Sequence, residues 1–247
     1  AGVEFMGESA KLLSPNKTVL MPDKDADCPM AHMVDEYFIA RLRKEYEDLC
    51  VVCYINSTAE IKTMSDVCVT SSNAKRIVEA LPNKNILFIP DQNLGKHIAE
   101  LVPSKNFLFC NGYCPTHYRI TPEDILTAKE KHPGAPVLIH PECKPECVEL
   151  ADYAGSTSGI IDYATNDQEH DEFIVVTEIG VIHEMEKRNP GKKFYPATDK
   201  LVCPNMKKNT LEKVRDCLKN NTNQVELDEE FMEKAKKPLE RMHELAK

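Results

Sequence analysis

The sequence has no run of basic residues and no interleaving of basic with aromatic side chains. In its 247 residues, 31 Lys and Arg stand against 40 Asp and Glu, a formal charge of −9. A broad surface tracking nucleic-acid phosphates is therefore excluded as a leading function. Long apolar runs are missing too. Stretches such as Ile86–Ile89 and Phe173–Val176 fall far short of the ~18 residues that crossing a bilayer requires, so the sequence predicts a soluble protein with no membrane partner. No secretory signal precedes the chain, which points to the cytoplasm. There is no initiator Met either: the chain opens Ala1-Gly2-Val3-Glu4-Phe5, as if cut at the end of a strand, and this predicts a missing N-terminal segment.

What is present is cysteine, ten of them, in a chain long enough to bury a core without staples. Without a secretory signal they read as intracellular thiols: packing residues, metal ligands or a nucleophile. Three are followed by proline, Cys28-Pro29, Cys114-Pro115 and Cys203-Pro204. Ten cysteines and 16 prolines in this length give only about 0.65 such pairs by chance. The pairs are 86 and 89 residues apart, close to the size of a small α/β domain.

The surroundings repeat as well. Each pair follows an apolar run (Lys17–Met21, Lys105–Phe109, Lys193–Pro196) and precedes a helical pattern (Val34–Leu49, Pro122–Lys131, Asn209–Leu218). The next apolar runs begin at Val51, Val137 and Val225, which lie 23, 23 and 22 residues past the cysteine. Tyr54-Ile55-Asn56 then aligns with His140-Pro141-Glu142, and Ile86–Ile89 with Phe173–Val176. Strands alternating with helices predict an α/β fold of βαβ units with parallel sheets. The expected organisation is three similar small domains in a pseudo-threefold arrangement around a central site: 1–28 with 204–247 as the remnant of a first domain, 29–114 as the second and 115–203 as the third.

A Cys-Pro pair at a turn puts proline at the first helical position and cysteine at the cap, where the helix dipole favours a thiolate. Three such thiolates on a pseudo-threefold axis suit an iron–sulfur cluster with one open iron, or a zinc with an open site; three buried structural thiols are the alternative. Cys50-Val51-Val52-Cys53 resembles a redox pair, but in a strand residues i and i+3 point to opposite faces. Cys143 and Cys147 form a rival metal site, while Cys68 and Cys217 read as packing.

These residues closely match the quinolinate synthase family. The carrying motifs are Cys28-Pro29-Met30-Ala31, Tyr54-Ile55-Asn56-Ser57-Thr58-Ala59-Glu60, Pro90-Asp91-Gln92-Asn93-Leu94-Gly95, Gly112-Tyr113-Cys114-Pro115-Thr116-His117, His140-Pro141-Glu142-Cys143, Gly155-Ser156-Thr157, Thr177-Glu178-Ile179-Gly180 and Cys203-Pro204-Asn205-Met206. They run over nearly the whole chain. The resemblance implies an enzyme of NAD biosynthesis, a transferase condensing iminoaspartate with dihydroxyacetone phosphate to quinolinate with loss of phosphate and two waters. It further implies a [4Fe–4S] cluster ligated by Cys28, Cys114 and Cys203, and L-aspartate oxidase or aspartate dehydrogenase as the partner supplying iminoaspartate. Family members carry upstream His-Asn-Tyr and Gly-Asp-Ser motifs that this sequence lacks, so impaired turnover is expected of this chain.

Proton transfer needs groups beside the substrate. His140 and Glu142, two residues apart at a strand end, are expected on one face as an acid–base pair, with His117 as a third catalytic candidate. Tyr54 and Asn56, at the equivalent place in the preceding copy, are expected to bind substrate alongside His140 and Glu142. Ser71, Ser156 and Thr157, at helix starts, offer hydroxyls beside exposed N–H groups for phosphate or carboxylate. A strand-ending histidine, a core tyrosine and plain N-caps are the non-functional alternatives. His32, His97, His132, His170, His183 and His243 are expected at the surface or in packing, without comparable partners. Two rival functions stand beside the first: another iron–sulfur hydro-lyase acting on a hydroxy acid, and a zinc-stabilised scaffold without activity.

Overall fold

The computed structural model describes residues 2–247 and divides the chain into two compact units. The first comprises the chain up to Gly112 together with Pro204–Lys247, the second Tyr113–Cys203.

In the first unit α1 (Glu4–Leu13) buries Phe5 and Leu12, two turns apart, on one face. It presses closely on the next segment at Gly7, where an added Cβ would stand 2.5 Å from the Met21 sulfur. Helix α2 (Glu36–Glu45) starts where Asp35 accepts from the Phe38 N–H at 2.8 Å. The expected Val34–Leu49 helix is shorter at both ends, because Asp35 caps it and Leu49 already belongs to the first strand. There follow β1 (Leu49–Tyr54), α3 (Ala59–Thr63), β2 (Val67–Val69), α4 (Ala74–Ala80), β3 (Asn85–Ile89), α5 (Gln92–Leu101) and β4 (Asn106–Phe109). The strands pair in parallel in the order β2-β1-β3-β4. β1 is buried along its whole length, as expected of a central parallel strand covered on both faces.

The second unit runs α6 (Pro115–Tyr118), α7 (Pro122–Lys131), β5 (Val137–Ile139), α8 (Pro145–Val148), β6 (Tyr153–Ala154), α9 (Thr157–Asn166), β7 (Glu172–Val176), α10 (Gly180–Arg188) and β8 (Lys193–Pro196). Its sheet is again parallel, in the order β6-β5-β7-β8. The fold is α/β, and the two sheets repeat one strand order. In that order the second strand lies on one side of the first and the third on the other, so the crossovers diverge beyond the carboxyl ends of β1/β3 and of β5/β7. Such switch points leave a crevice for ligands.

The chain then returns to the first unit with α11 (Leu211–Asn220) and α12 (Glu229–Leu245), the latter packed on α3 and β2. Leu20 pairs with Gln224 in an isolated antiparallel bridge, and Val225 donates to the Val19 carbonyl at 2.8 Å. The repeat places the start of an apolar run at Val225. The extended stretch there is cut short by Asp228, which caps α12, leaving no length for a strand.

Candidate active site

In the second unit His140 and Glu142 lie just past the end of β5, and Thr177 and Glu178 just past β7. Both chains therefore leave the sheet at its switch point. His117, from the last turn of α6, joins them. His117, His140, Glu142 and Thr177 are each no more than 6% exposed, so their polar atoms must find partners within the protein.

Several of those partners lie within the group and in Cys114 beside it. Nδ1 of His117 is 2.8 Å from Glu142 Oε2 and 3.2 Å from Cys114 Sγ, and its Nε2 is 3.1 Å from Thr177 Oγ1. A neutral His117 with its proton on Nδ1 satisfies both sides, donating to the carboxylate and accepting from the threonine hydroxyl. Nδ1 of His140 lies 3.6 Å from the same carboxylate oxygen and accepts from the Glu142 N–H at 3.3 Å, which places the proton of a neutral ring on Nε2. The His117 and His140 rings are tilted by 31° with centroids 5.1 Å apart. His140 and Glu142 do come together, but through the turn after β5 and not by alternation within a strand, since β5 ends at Ile139.

Ligand atoms of Cys114, His117 and Glu142 lie within 4.8 Å of one another, giving a thiol, an imidazole and a carboxylate at one point. Cys203 is held from the same unit: its N–H donates to Glu178 Oε1 at 3.3 Å, while Oε2 of Glu178 accepts from Gly180 N–H at 2.8 Å. Thr177 and Glu178 had no role legible in the sequence beyond their place in a motif. Their partners are distant along the chain, and only their position after an apolar strand hinted at them.

Ser156 is the N-cap of α9, accepting from Gly159 N–H at 3.1 Å, with the Ser158 hydroxyl 3.0 Å away; Thr157 is the exposed first helical residue. In the first unit Tyr54 ends β1 and is buried, and Asn56 is half-buried in the turn that follows. Ser71 was expected at a helix start. It lies instead in the turn before α4, whose N-cap is Asn73, because the Asn73 side chain takes the Thr70 N–H at 2.6 Å and closes that turn first.

Cys28 and Cys114 both sit in extended backbone with proline at the first helical position, as expected. The turns they open have only four residues, too short to sum to a full helix dipole. After Cys203 the next turn, Met206–Lys208, is capped by Asn205. The three Cys-Pro cysteines nevertheless separate from the rest: Cys28, Cys114 and Cys203 are half-buried, and the other seven are buried. Burial, with lesser electrostatic help, pushes Cys50 up to about 12 and Cys110 and Cys147 up to about 11. Cys143 and Cys147 belong to the apolar core around β5 and β7. Among the histidines expected at the surface or in packing, His32 Nε2 is 2.9 Å from Asp27, His170 Nδ1 is 3.0 Å from Asp167, and His132 stacks on Tyr195.

A family model described as quinolinate synthetase A protein matches residues 1–244. The chain is similar to proteins named quinolinate synthase from Caldicellulosiruptor bescii, 53% identical over 244 residues, and from Clostridioides difficile, 54% identical over 245 residues. Each alignment covers 99% of this chain and 80% of the relative. A quinolinate synthase of Methanoregula boonei is 45% identical over 98% of the chain and 79% of its own length.

Proposed function

Because the chain belongs to the quinolinate synthase family, we propose that it is a transferase of NAD biosynthesis. It condenses iminoaspartate with dihydroxyacetone phosphate to quinolinate, releasing phosphate and two waters. The observation that carries this reading is the buried meeting of Cys114, His117 and Glu142 within 4.8 Å at the carboxyl end of a parallel sheet.

Cys28, Cys114 and Cys203 would hold a [4Fe–4S] cluster, and the donor set fits it: three soft thiols, the only half-buried cysteines of the ten, with every other thiol committed to a core. Bound there, the cluster supplies a Lewis-acidic iron with an open position. The zinc scaffold is the weaker reading, because a purely structural zinc closes its shell with four ligands and needs no buried histidine–glutamate pair. The same proposal retains three α/β domains, 1–28 with 204–247, 29–114 and 115–203, about a pseudo-threefold axis, supported by the common strand order of the two sheets. It also retains a cytoplasmic enzyme fed by L-aspartate oxidase or aspartate dehydrogenase.

The chemistry requires protons to leave carbon and to reach departing oxygens. Glu142 is the group for this work: one oxygen is held at 2.8 Å by His117, whose Nε2 is in turn 3.1 Å from the Thr177 hydroxyl, so the carboxylate is held in one orientation. His140, with its proton on Nε2, offers a donor to a substrate oxygen. Tyr54 and Asn56 orient a carboxylate of the dicarboxylic substrate, and Ser71, Ser156 and Thr157 hold its second anionic group or the phosphate beside backbone N–H groups. Excluding bulk water from the buried His117, His140 and Glu142 strengthens their interactions.

The test is product analysis under anaerobic conditions with iminoaspartate generated in situ and dihydroxyacetone phosphate. Pyridine-2,3-dicarboxylate supports the proposal. Turnover of a hydroxy acid to an unsaturated acid instead would assign the hydro-lyase reading, and one zinc with no product the scaffold.

A further inference from the structure

A fully buried lysine stands beyond the carboxyl end of β1. Lys62, on α3, is 0% exposed. Its Nζ donates to the Ile55 carbonyl at 3.0 Å, to the Ser57 carbonyl, and to Ser57 Oγ at 3.3 Å. These acceptors bracket Asn56. The Ile55 carbonyl belongs to the peptide that carries the Asn56 N–H, and it also accepts from the Ser57 N–H at 2.8 Å. Holding it fixes the plane on one side of Asn56, and holding Ser57 fixes the chain on the other. A switch-point loop leaves the sheet without a ladder for its carbonyls, and buried carbonyls need partners. Here one side chain, anchored in α3, supplies them.

Among the described residues no carboxylate lies within ion-pair distance of Lys62 Nζ. Glu8, whose charge is felt by this lysine, accepts instead from the Ala59 N–H at 2.9 Å, and the Phe5 ring centre is 5.9 Å from Nζ. A thiol shares the Ser57 hydroxyl with Lys62. Cys53 Sγ is 2.9 Å from Ser57 Oγ, and Cys68 is its register partner on β2. Burial pushes Cys53 up, but the Cys68 hydrogen bond, the Lys62 charge and the Ser57 hydroxyl outweigh it and hold the thiol below its ordinary value, while Cys68 is pushed well above.

We propose that Lys62, Ser57 and Cys53 form a buried clamp that fixes residues 55–57 so that Asn56 is presented to the anionic substrate. The proposal rests on the reading of Asn56 as a substrate-binding residue. Lys62 touches no substrate and is a positioning residue. The clamp holds residues 55–57 through two backbone carbonyls and one hydroxyl, so Asn56 can be held rigidly with no carboxylate of the clamp beside an anionic ligand.

The experiment compares Lys62→Met, Ser57→Ala, Asn56→Ala and the Lys62→Met/Asn56→Ala double variant in reconstituted protein. It reads amide hydrogen exchange of residues 55–58, KM and kcat for iminoaspartate, and iron content. In Lys62→Met the exchange of 55–58 should rise about tenfold and KM about tenfold, with kcat within about twofold and iron unchanged. Asn56→Ala should raise KM similarly, and the double variant should be no worse than Asn56→Ala, since both act through one contact. Ser57→Ala should show the same pattern more weakly, and it carries the test alone if Lys62→Met does not fold. Unchanged exchange in these variants overturns the clamp. So does faster exchange with unchanged KM when Asn56→Ala raises KM. If Asn56→Ala leaves KM untouched, the substrate reading of Asn56 fails, while the exchange result still decides the clamp.

Discussion

Nδ1 of His117 and Oε2 of Glu142 meet at 2.8 Å with both side chains at most 7% exposed. The pair joins the end of a four-residue helix to the loop after β5, and Thr177 completes it from the loop after β7. A buried carboxylate and imidazole held this way form one hydrogen-bonded unit whose members cannot be exchanged singly without cost.

Glu142→Gln keeps the shape and the acceptor oxygen but removes the proposed base. The variant should fold and load iron as the parent does, and its turnover should fall by roughly 10²–10⁴. Steady-state rates beside the iron–sulfur absorption of the same preparations check this. Loss of the absorption would make Glu142 a ligand instead of a proton carrier.

Thiol labelling tests the separation of the cysteines. Iodoacetamide added to the native, iron-free protein should modify Cys28, Cys114 and Cys203 and spare the seven buried thiols until denaturant is added. Peptide mass spectrometry reads the sites directly. Labelling of Cys143 or Cys147 in the folded protein would contradict their place in the core.

Asp124 links a cap to an ion pair. Its Oδ2 accepts from the Thr121 N–H and hydroxyl, each at 2.9 Å, and Lys200 Nζ stands 2.9 Å from Oδ1. Partial burial pushes this carboxyl up, but the Lys200 and Thr121 hydrogen bonds overcome it and hold it below its ordinary 3.8. A depressed value means stabilisation that is complete above the ordinary value and is lost as pH falls through the folded one. Asp124→Asn should therefore cost about 1 kcal/mol near neutral pH, and the gap to the parent should close below about pH 4. Thermal unfolding of both proteins across that range measures it.

Much of this architecture was legible in the sequence, because apolar runs such as Ile86–Ile89 and Phe173–Val176 fall wholly inside β3 and β7 and the helix Pro122–Lys131 is bounded by its own proline and cap. The Cys-Pro spacing likewise marked the only half-buried cysteines. Other features could not be read. Thr177 meets His117 across 60 residues, Glu178 holds the Cys203 N–H across 25, and Lys62 is a charged residue in a short helix with nothing local to announce its burial. Contacts made where strand ends converge depend on the sheet's order, which no local pattern encodes. At Val225 the repeated spacing keeps an apolar residue in register with no sheet strand following it.

The central claim, that the three Cys-Pro thiols hold one iron–sulfur cluster, is tested most directly by iron and sulfide analysis of anaerobically reconstituted protein, parent beside Cys28→Ala, Cys114→Ala, Cys203→Ala and Cys143→Ser. The parent and Cys143→Ser should carry about four iron and four sulfide per chain, and each of the three alanine variants should lose them. A full complement retained in Cys114→Ala, or a parent that carries one zinc and no sulfide, would contradict the account.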